Sequence, residues 1–167
     1  HRYTYPFLGL SEQARNEMDR KGGNLLSLSL LRSLLRVKDA DIFHAHSGKR
    51  LGGIVSTAAR RRGQPYVIIL HGGVYDVPDN EMQQMLQPTK GTFEWGRAFG
   101  AALGARRVLE DADAILCVGQ NEQQEVQARF PDKRVEWLPN GVDIDCFSNG
   151  NGQRFRSKHG IPQESKM

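Results

Sequence analysis

Long hydrophobic runs are absent from this sequence of 167 residues. No stretch approaches the ~20 apolar residues that a helix needs to cross a bilayer, so a membrane-spanning helix is not expected. The most apolar segment, residues 25–37, is interrupted by serines and arginines. The first residues also lack the apolar segment of a secretory signal peptide, and we expect none here. Because the chain does not begin with Met, we expect its natural start to lie upstream.

Cysteine is equally scarce, with only Cys117 and Cys146 in the chain. Cys117 lies in an apolar run and Cys146 in a polar connector, a pattern that excludes the disulfide framework of small secreted domains. Two reduced thiols are typical of a cytoplasmic protein, and we predict that location.

No strong excess of one charge is present. The chain has 23 basic and 19 acidic residues, a net charge of +4 and a pI of about 9.3. This balance suits anionic partners in general and does not choose among nucleic acids, anionic membranes and phosphate-bearing ligands. Nucleic-acid binding is not expected, because the chain has no recognition motif and no basic patch interleaved with aromatic residues.

Short apolar runs alternate with segments of helical periodicity along most of the chain. The runs predict strands at 41–46, 66–70, 114–118 and 134–138. The periodic segments predict helices at 25–36, 52–62, 93–110 and 121–130. The nearly continuous apolar run at 66–70 indicates a strand covered on both faces. Alternating strands and helices predict an α/β domain with a mostly parallel, doubly wound sheet.

Glycines and hydrogen-bonding side chains follow each predicted strand. In open α/β sheets, ligands bind at the carboxyl ends of the strands, so these residues predict a site for a polar ligand. The candidate binding residues are His46, Ser47, Lys49, Arg50, His71, Gly72, Gly73, Asn121 and Glu122. Asn121 is also a good N-cap residue for the helix that follows, and we favour that role for it.

The histidines raise the alternative of a metal site. His44 and His46 lie on one face of the first strand by period two, with His71 nearby. Zinc is not expected, because no carboxylate or cysteine is spaced to complete a tetrahedral site. We predict instead that His44 is buried and hydrogen-bonded, with His46 nearer the exposed end of the strand.

Four ordered motifs resemble one known family. They are DIFHAH (41–46), PYVIILHGG (65–73), ADAILCVG (112–119) and LPNGVD (138–143), the last followed by Phe147. Together they resemble the N-terminal domain of family 4 (group 1) glycosyltransferases, which have the GT-B fold. The resemblance implies a Rossmann-like three-layer sandwich forming the acceptor side of the enzyme, over residues 1–147. Residues 148–167 are then a linker into a donor-binding domain, and the first strand and its Gly-rich loop are expected to be missing.

The resemblance also implies a function. The whole enzyme is expected to transfer a sugar from a nucleoside diphosphate sugar to an acceptor hydroxyl with retention, in polysaccharide or glycoconjugate biosynthesis. By resemblance, His71 lines the cleft as the catalytic candidate, Asn140 and Gly141 lie at the hinge between domains, and neither a metal nor another cofactor is expected. The fragment alone is expected to be inactive. A carbohydrate or a lipid-linked acceptor fits, with peripheral membrane contact through residues 25–37 left open.

The sequence leaves two rival functions open. A sugar-nucleotide epimerase of GT-B architecture would need paired acid/base carboxylates in the cleft, and none is evident at the strand ends. A non-catalytic sugar- or nucleotide-binding module would need only the pocket.

Overall fold

A computed structural model describes residues 1–20, 23–72, 83–84, 86–148, 150–162 and 164–165. Along the chain the elements are β1 (Phe7–Leu8), α1 (Glu12–Arg20), α2 (Leu28–Leu34), β2 (Phe43–Ala45), α3 (Lys49–Arg62), β3 (Tyr66–Leu70), a 3₁₀ turn (Gln87–Thr89), β4 (Phe93–Glu94), α4 (Gly96–Ala102), β5 (Ala114–Cys117), α5 (Gln120–Arg129), β6 (Arg134–Trp137), α6 (Ile144–Ser148) and α7 (Gly152–His159). None of the helices within these ranges combines the length and the apolar character that crossing a membrane requires.

The central sheet contains four parallel strands in the order β2-β3-β5-β6. The α/β class and the parallel sheet of the prediction are confirmed, and each strand lies within its predicted run. Because these strands follow chain order, the reversal of order that marks a doubly wound sheet does not fall among them. All four strands therefore end at one edge of the sheet, as the site prediction requires.

One face of the sheet is covered by helices. α3 packs against β2 and β3, and α5 packs against β5 and β6. The core beneath them is apolar, with Ile68, Ile115 and Cys117 fully buried at its centre. Among the described residues the opposite, open face is largely uncovered: apart from the buried Ile69, its strand residues are exposed or half-buried around a depression of about 310 Å³. Coverage of both faces, predicted for β3, therefore holds at Ile69 and is partial at Val67, which is half-buried.

Helix boundaries follow local chemistry. α2 begins later than predicted because Leu26 forms an antiparallel bridge with Thr4, and the hydroxyl of Ser27 then accepts from the amide of Leu30 at the helix start. α3 ends as predicted at Gly63, which adopts a left-handed conformation (φ 66°) that a glycine tolerates without strain.

The predicted helix at 93–110 is wrong over most of its length. Residues 93–94 form β4, which pairs antiparallel with β1, and only Gly96–Ala102 is helical. Gly96 packs so closely on Pro6 that a side chain would clash there, and Gly104 turns the chain with a φ of 63°. Helical periodicity did not reveal these tertiary contacts.

The prediction that Asn121 caps its helix is also wrong. α5 begins one residue earlier, at Gln120, with Gly119 as its N-cap, and Asn121 is an exposed residue in the first turn. Near the end of the chain, the segment predicted as a linker contains α7, which is capped by the side chain of Asn151 at its start and by the left-handed Gly160 at its end.

Candidate active site

Two of the predicted site residues meet at the carboxyl edge of the sheet. Nδ1 of His46 lies 3.2 Å from Nε2 of His71, a hydrogen-bond distance, and the two rings are stacked with centroids 5.4 Å apart. The register explains the contact, because Ala45 pairs with Ile68 and both histidines continue past the ends of adjacent strands. The alternation of side chains places both rings on the open face of the sheet.

His44 continues this row of histidines. Its ring lies 4.5 Å from that of His46 between centroids, over the apolar open face that Val67 and Leu116 also line. The expected buried, hydrogen-bonded position for His44 is wrong: the side chain is exposed, because nothing among the described residues covers this face. Partial desolvation of the ring lowers the pKa of His44, and the neighbouring charges of His46 and His71 lower it further.

Glu122 joins the ends of β3 and β5. Its carboxylate is buried, 7% exposed, and Oε2 accepts a hydrogen bond from the amide of Gly72 at 3.2 Å. The position in the first turn of α5 suits a carboxylate, because the positive end of the helix dipole lies there. Glu122 was predicted to bind a ligand, and in the structure its carboxylate contacts the loop after β3. Burial, with the nearby charge of Glu122, also raises the pKa of the Cys117 thiol to about 11.

The loop after β3 depends on glycine. Gly72 has a φ of 88°, a conformation that side-chain-bearing residues rarely adopt. Its predicted partner in ligand binding, Gly73, lies outside the described residues.

The segment after β2 supplies one exposed cation. Ser47 and Lys49 are both exposed, and Lys49 has an unusual positive φ of 53°. Gly52 packs against the backbone carbonyl of Ser47 so tightly that a side chain there would clash, and this holds the segment against α3.

Arg50 lies elsewhere than a ligand-binding role suggests. Its side chain is 3% exposed, and the guanidinium forms an ion pair with Glu94 while Nη1 donates to the carbonyl of Asn24 at 2.7 Å. Burial lowers the pKa of Arg50. The guanidinium thus joins α3 to β4 inside the domain, and substrate binding by Arg50 stays a prediction that this placement does not favour.

Hydrogen bonds join the end of β6 to the end of β5. The indole Nε1 of Trp137 donates to the carbonyl of Val118 at 3.3 Å, and the amide of Leu138 donates to that of Cys117 at 2.9 Å. Asn140 and Gly141 follow directly and are exposed, as is Asn121 across the edge. The hinge role of Asn140 and Gly141 and the ligand-binding role of Asn121 stay predictions.

Among the residues that the structure describes, no group of three or more His, Cys, Asp or Glu side chains is arranged to hold a metal ion.

The sequence model of glycosyltransferase family 4 matches residues 12–146, most of the chain and every strand of the parallel sheet. The chain belongs to glycosyltransferase family 4. No curated protein matches it significantly. The four motifs on which the resemblance was based, at 41–46, 65–73, 112–119 and 138–143, all lie within the matched residues.

Two polar contacts of the domain were not predicted from the sequence. One is the ion pair between Glu94 and the buried Arg50, which are 44 residues apart. The bond from Gly72 to Glu122 was also missed. A hint was available for Glu122, because an acidic residue in the first turn of a helix commonly bonds backbone amides.

Proposed function

We propose that this domain is the acceptor side of a GT-B glycosyltransferase that uses a nucleoside diphosphate sugar and retains the anomeric configuration. The observation that carries the proposal is the histidine pair at the carboxyl edge of the parallel sheet, where His71 and His46 are exposed side by side. Ligands of open α/β sheets bind at this edge. Membership of a glycosyltransferase family supplies the chemistry class.

In the proposed reaction, the bond between the anomeric carbon of the donor sugar and the diphosphate breaks. A new bond forms from that carbon to the acceptor oxygen, and the proton of the acceptor hydroxyl leaves with the diphosphate or to water. His71 hydrogen-bonds a sugar hydroxyl and forms part of the wall of the reacting centre. Its contribution is orientation of the sugar, which accelerates a reaction by holding the groups in the attacking geometry.

The diphosphate is stabilised by basic side chains and a helix N-terminus of a second, donor-binding domain. This form of electrostatic stabilisation needs no bound metal, and we propose none. Gly72, which follows His71 directly, is held in place by the hydrogen bond from its amide to Glu122. Closure of the two domains about the segment containing Asn140 and Gly141 completes the site.

An acceptor that carries a phosphate or carboxylate would suit Lys49, the exposed cation after β2. Polysaccharide or glycoconjugate synthesis at the cytoplasmic side of a membrane fits such an acceptor. Peripheral membrane contact would use the outer side of α2, where Leu28 is 53% exposed, while Leu31 and Leu34 pack into the core.

The rival functions differ in what they require of the same edge. An epimerase needs acid/base carboxylates facing the sugar, but Glu122 is buried with its carboxylate bonded to a backbone amide. A non-catalytic module needs binding without turnover, and only a functional assay separates it from the enzyme.

The test is transfer and donor hydrolysis with UDP-glucose, UDP-N-acetylglucosamine and GDP-mannose, with the donor-binding domain present in the same chain. We expect turnover with one donor and a loss of more than about tenfold, or ~1.4 kcal/mol of barrier, on His71→Ala. His159→Ala, an exposed histidine on α7, is the matched control and should keep full activity. No turnover and no binding with any donor would leave the non-catalytic module as the function.

A further inference from the structure

His46 and His71 form a pair in which each ring restricts the other. Their facing nitrogens are Nδ1 of His46 and Nε2 of His71, 3.2 Å apart. A neutral imidazole has one donor nitrogen and one acceptor nitrogen. Only one of the two facing nitrogens can therefore carry the proton of this hydrogen bond.

This restriction links the tautomers of the two rings. If His46 donates from Nδ1, the acceptor Nε2 of His71 is bare and His71 carries its proton on Nδ1. If His71 donates from Nε2, then Nδ1 of His46 is bare and His46 carries its proton on Nε2. In both cases the neutral rings hold their protons on the same-named nitrogen, either both on Nδ1 or both on Nε2.

The pair also decides which atom of His71 remains for a ligand. Nε2 of His71 is occupied by His46, so Nδ1 is its only ring nitrogen left to bond a hydroxyl. The ring of His46 is backed in turn by His44, whose centroid lies 4.5 Å away, and the amide that follows His71 is bonded to Glu122. The pair is thus supported on one side by His44 of β2 and on the other by Glu122 of α5.

We propose that His46 is a positioning residue, which holds the ring orientation of His71 so that Nδ1 of His71 faces the bound sugar. This inference rests on the proposed function for the identity of the ligand. The hydrogen-bonded pair itself does not depend on that function. His46 thus acts through His71, where the sequence had predicted direct contact with substrate.

The first test is ring-nitrogen NMR on this chain labelled with ¹⁵N-histidine, at a pH where the rings are neutral. We expect His46 and His71 to carry protons on the same-named nitrogen. In His46→Asn the side-chain amide can donate to or accept from Nε2 of His71, so the orientation of the His71 ring should be kept. In His46→Phe an aromatic ring remains without the hydrogen bond, and the population of the paired His71 rotamer should fall on the order of 2- to 12-fold, the bias that one net hydrogen bond supplies.

Opposite tautomers in the unaltered protein, or an unchanged His71 rotamer population in His46→Phe, would overturn the pairing. Both histidines are exposed, so neither substitution should unfold the domain, and the thermal midpoint checks this point.

The second test measures transfer with the donor-binding domain present in the chain. His46→Phe should lower kcat severalfold with little change in donor KM, and His46→Asn should restore most of it. An unchanged kcat in His46→Phe would refute positioning even where the NMR pair is present. Absence of turnover in the unaltered protein would refute the proposed function and leave the pair standing, whereas a missing pair with a damaging His71→Ala would refute positioning alone.

Discussion

The two faces of the central sheet are built from the same strands, but they differ in both composition and exposure. The covered face holds apolar side chains such as Ile68 and Ile115, with no exposed area, beneath α3 and α5. The open face mixes Val67 and Leu116 with His44 and the Arg134–Glu136 ion pair. The charged side chains of these strands, Arg134 and Glu136, occur on the face where water can reach them, because a buried unpaired charge costs several kcal/mol. The comparison separates residues that hold the fold from residues free to act on a ligand.

The largest expected effect comes from Ile68→Ala on the covered face, compared with Val67→Ala on the open face. Ile68→Ala should lower the free energy of unfolding by about 2–5 kcal/mol, because it leaves a cavity among fully buried side chains. Val67→Ala, the next residue on the open face, should cost about 1 kcal/mol or less. Urea denaturation of the two variants measures the difference, and equal losses would mean that the open face is covered in solution.

A smaller effect on stability is expected when a buried ion pair is broken, compared with breaking an exposed one. Glu94→Gln leaves the buried guanidinium of Arg50 without its charged partner and should cost about 2–4 kcal/mol, somewhat below a fully buried pair because Glu94 is 27% exposed. Glu136→Gln breaks the exposed pair with Arg134 on the open face and should cost about 0–1 kcal/mol. Thermal unfolding of both variants tests this order, which a larger loss for Glu136→Gln would contradict.

The smallest effect concerns pH. His44 has a pKa lowered from its ordinary value of 6.5, so the folded protein binds this proton less tightly than the unfolded chain. Stability should therefore fall as the pH drops below about 6.5, and the loss should stop once the pH lies below the folded pKa. His44→Gln should reduce that loss between pH 7.5 and 5.5 in denaturation experiments. An identical pH dependence in the variant would assign the effect to other groups.

NMR titration tests the cause of the lowered pKa of His44. Because the charge of His46 contributes to the lowered pKa of His44, His46→Asn should raise the His44 midpoint toward its ordinary value. Desolvation is the larger cause, so a partial return is expected.

The accuracy of the sequence predictions varied with the range of the interactions involved. Apolar runs located all four strands of the parallel sheet, because strand formation at 66–70 or 114–117 depends on the residues within the run. Gly63 marked the end of α3 because its left-handed conformation is a local requirement. The prediction of a helix at 93–110 failed because β4 is made by pairing with β1, a contact across about half of the chain. Exposure of His44 was missed because it depends on what covers the sheet.

By itself, the sequence determined the positions of the four parallel strands, the edge of the sheet at which they end and the family to which the chain belongs. Only the tertiary structure decided which polar groups meet. His46 and His71 are separated by 25 residues, Arg50 and Glu94 by 44, and Gly72 and Glu122 by 50. The physical reason is that local propensity acts over a few residues, whereas these contacts depend on strand register and on how helices pack against the sheet.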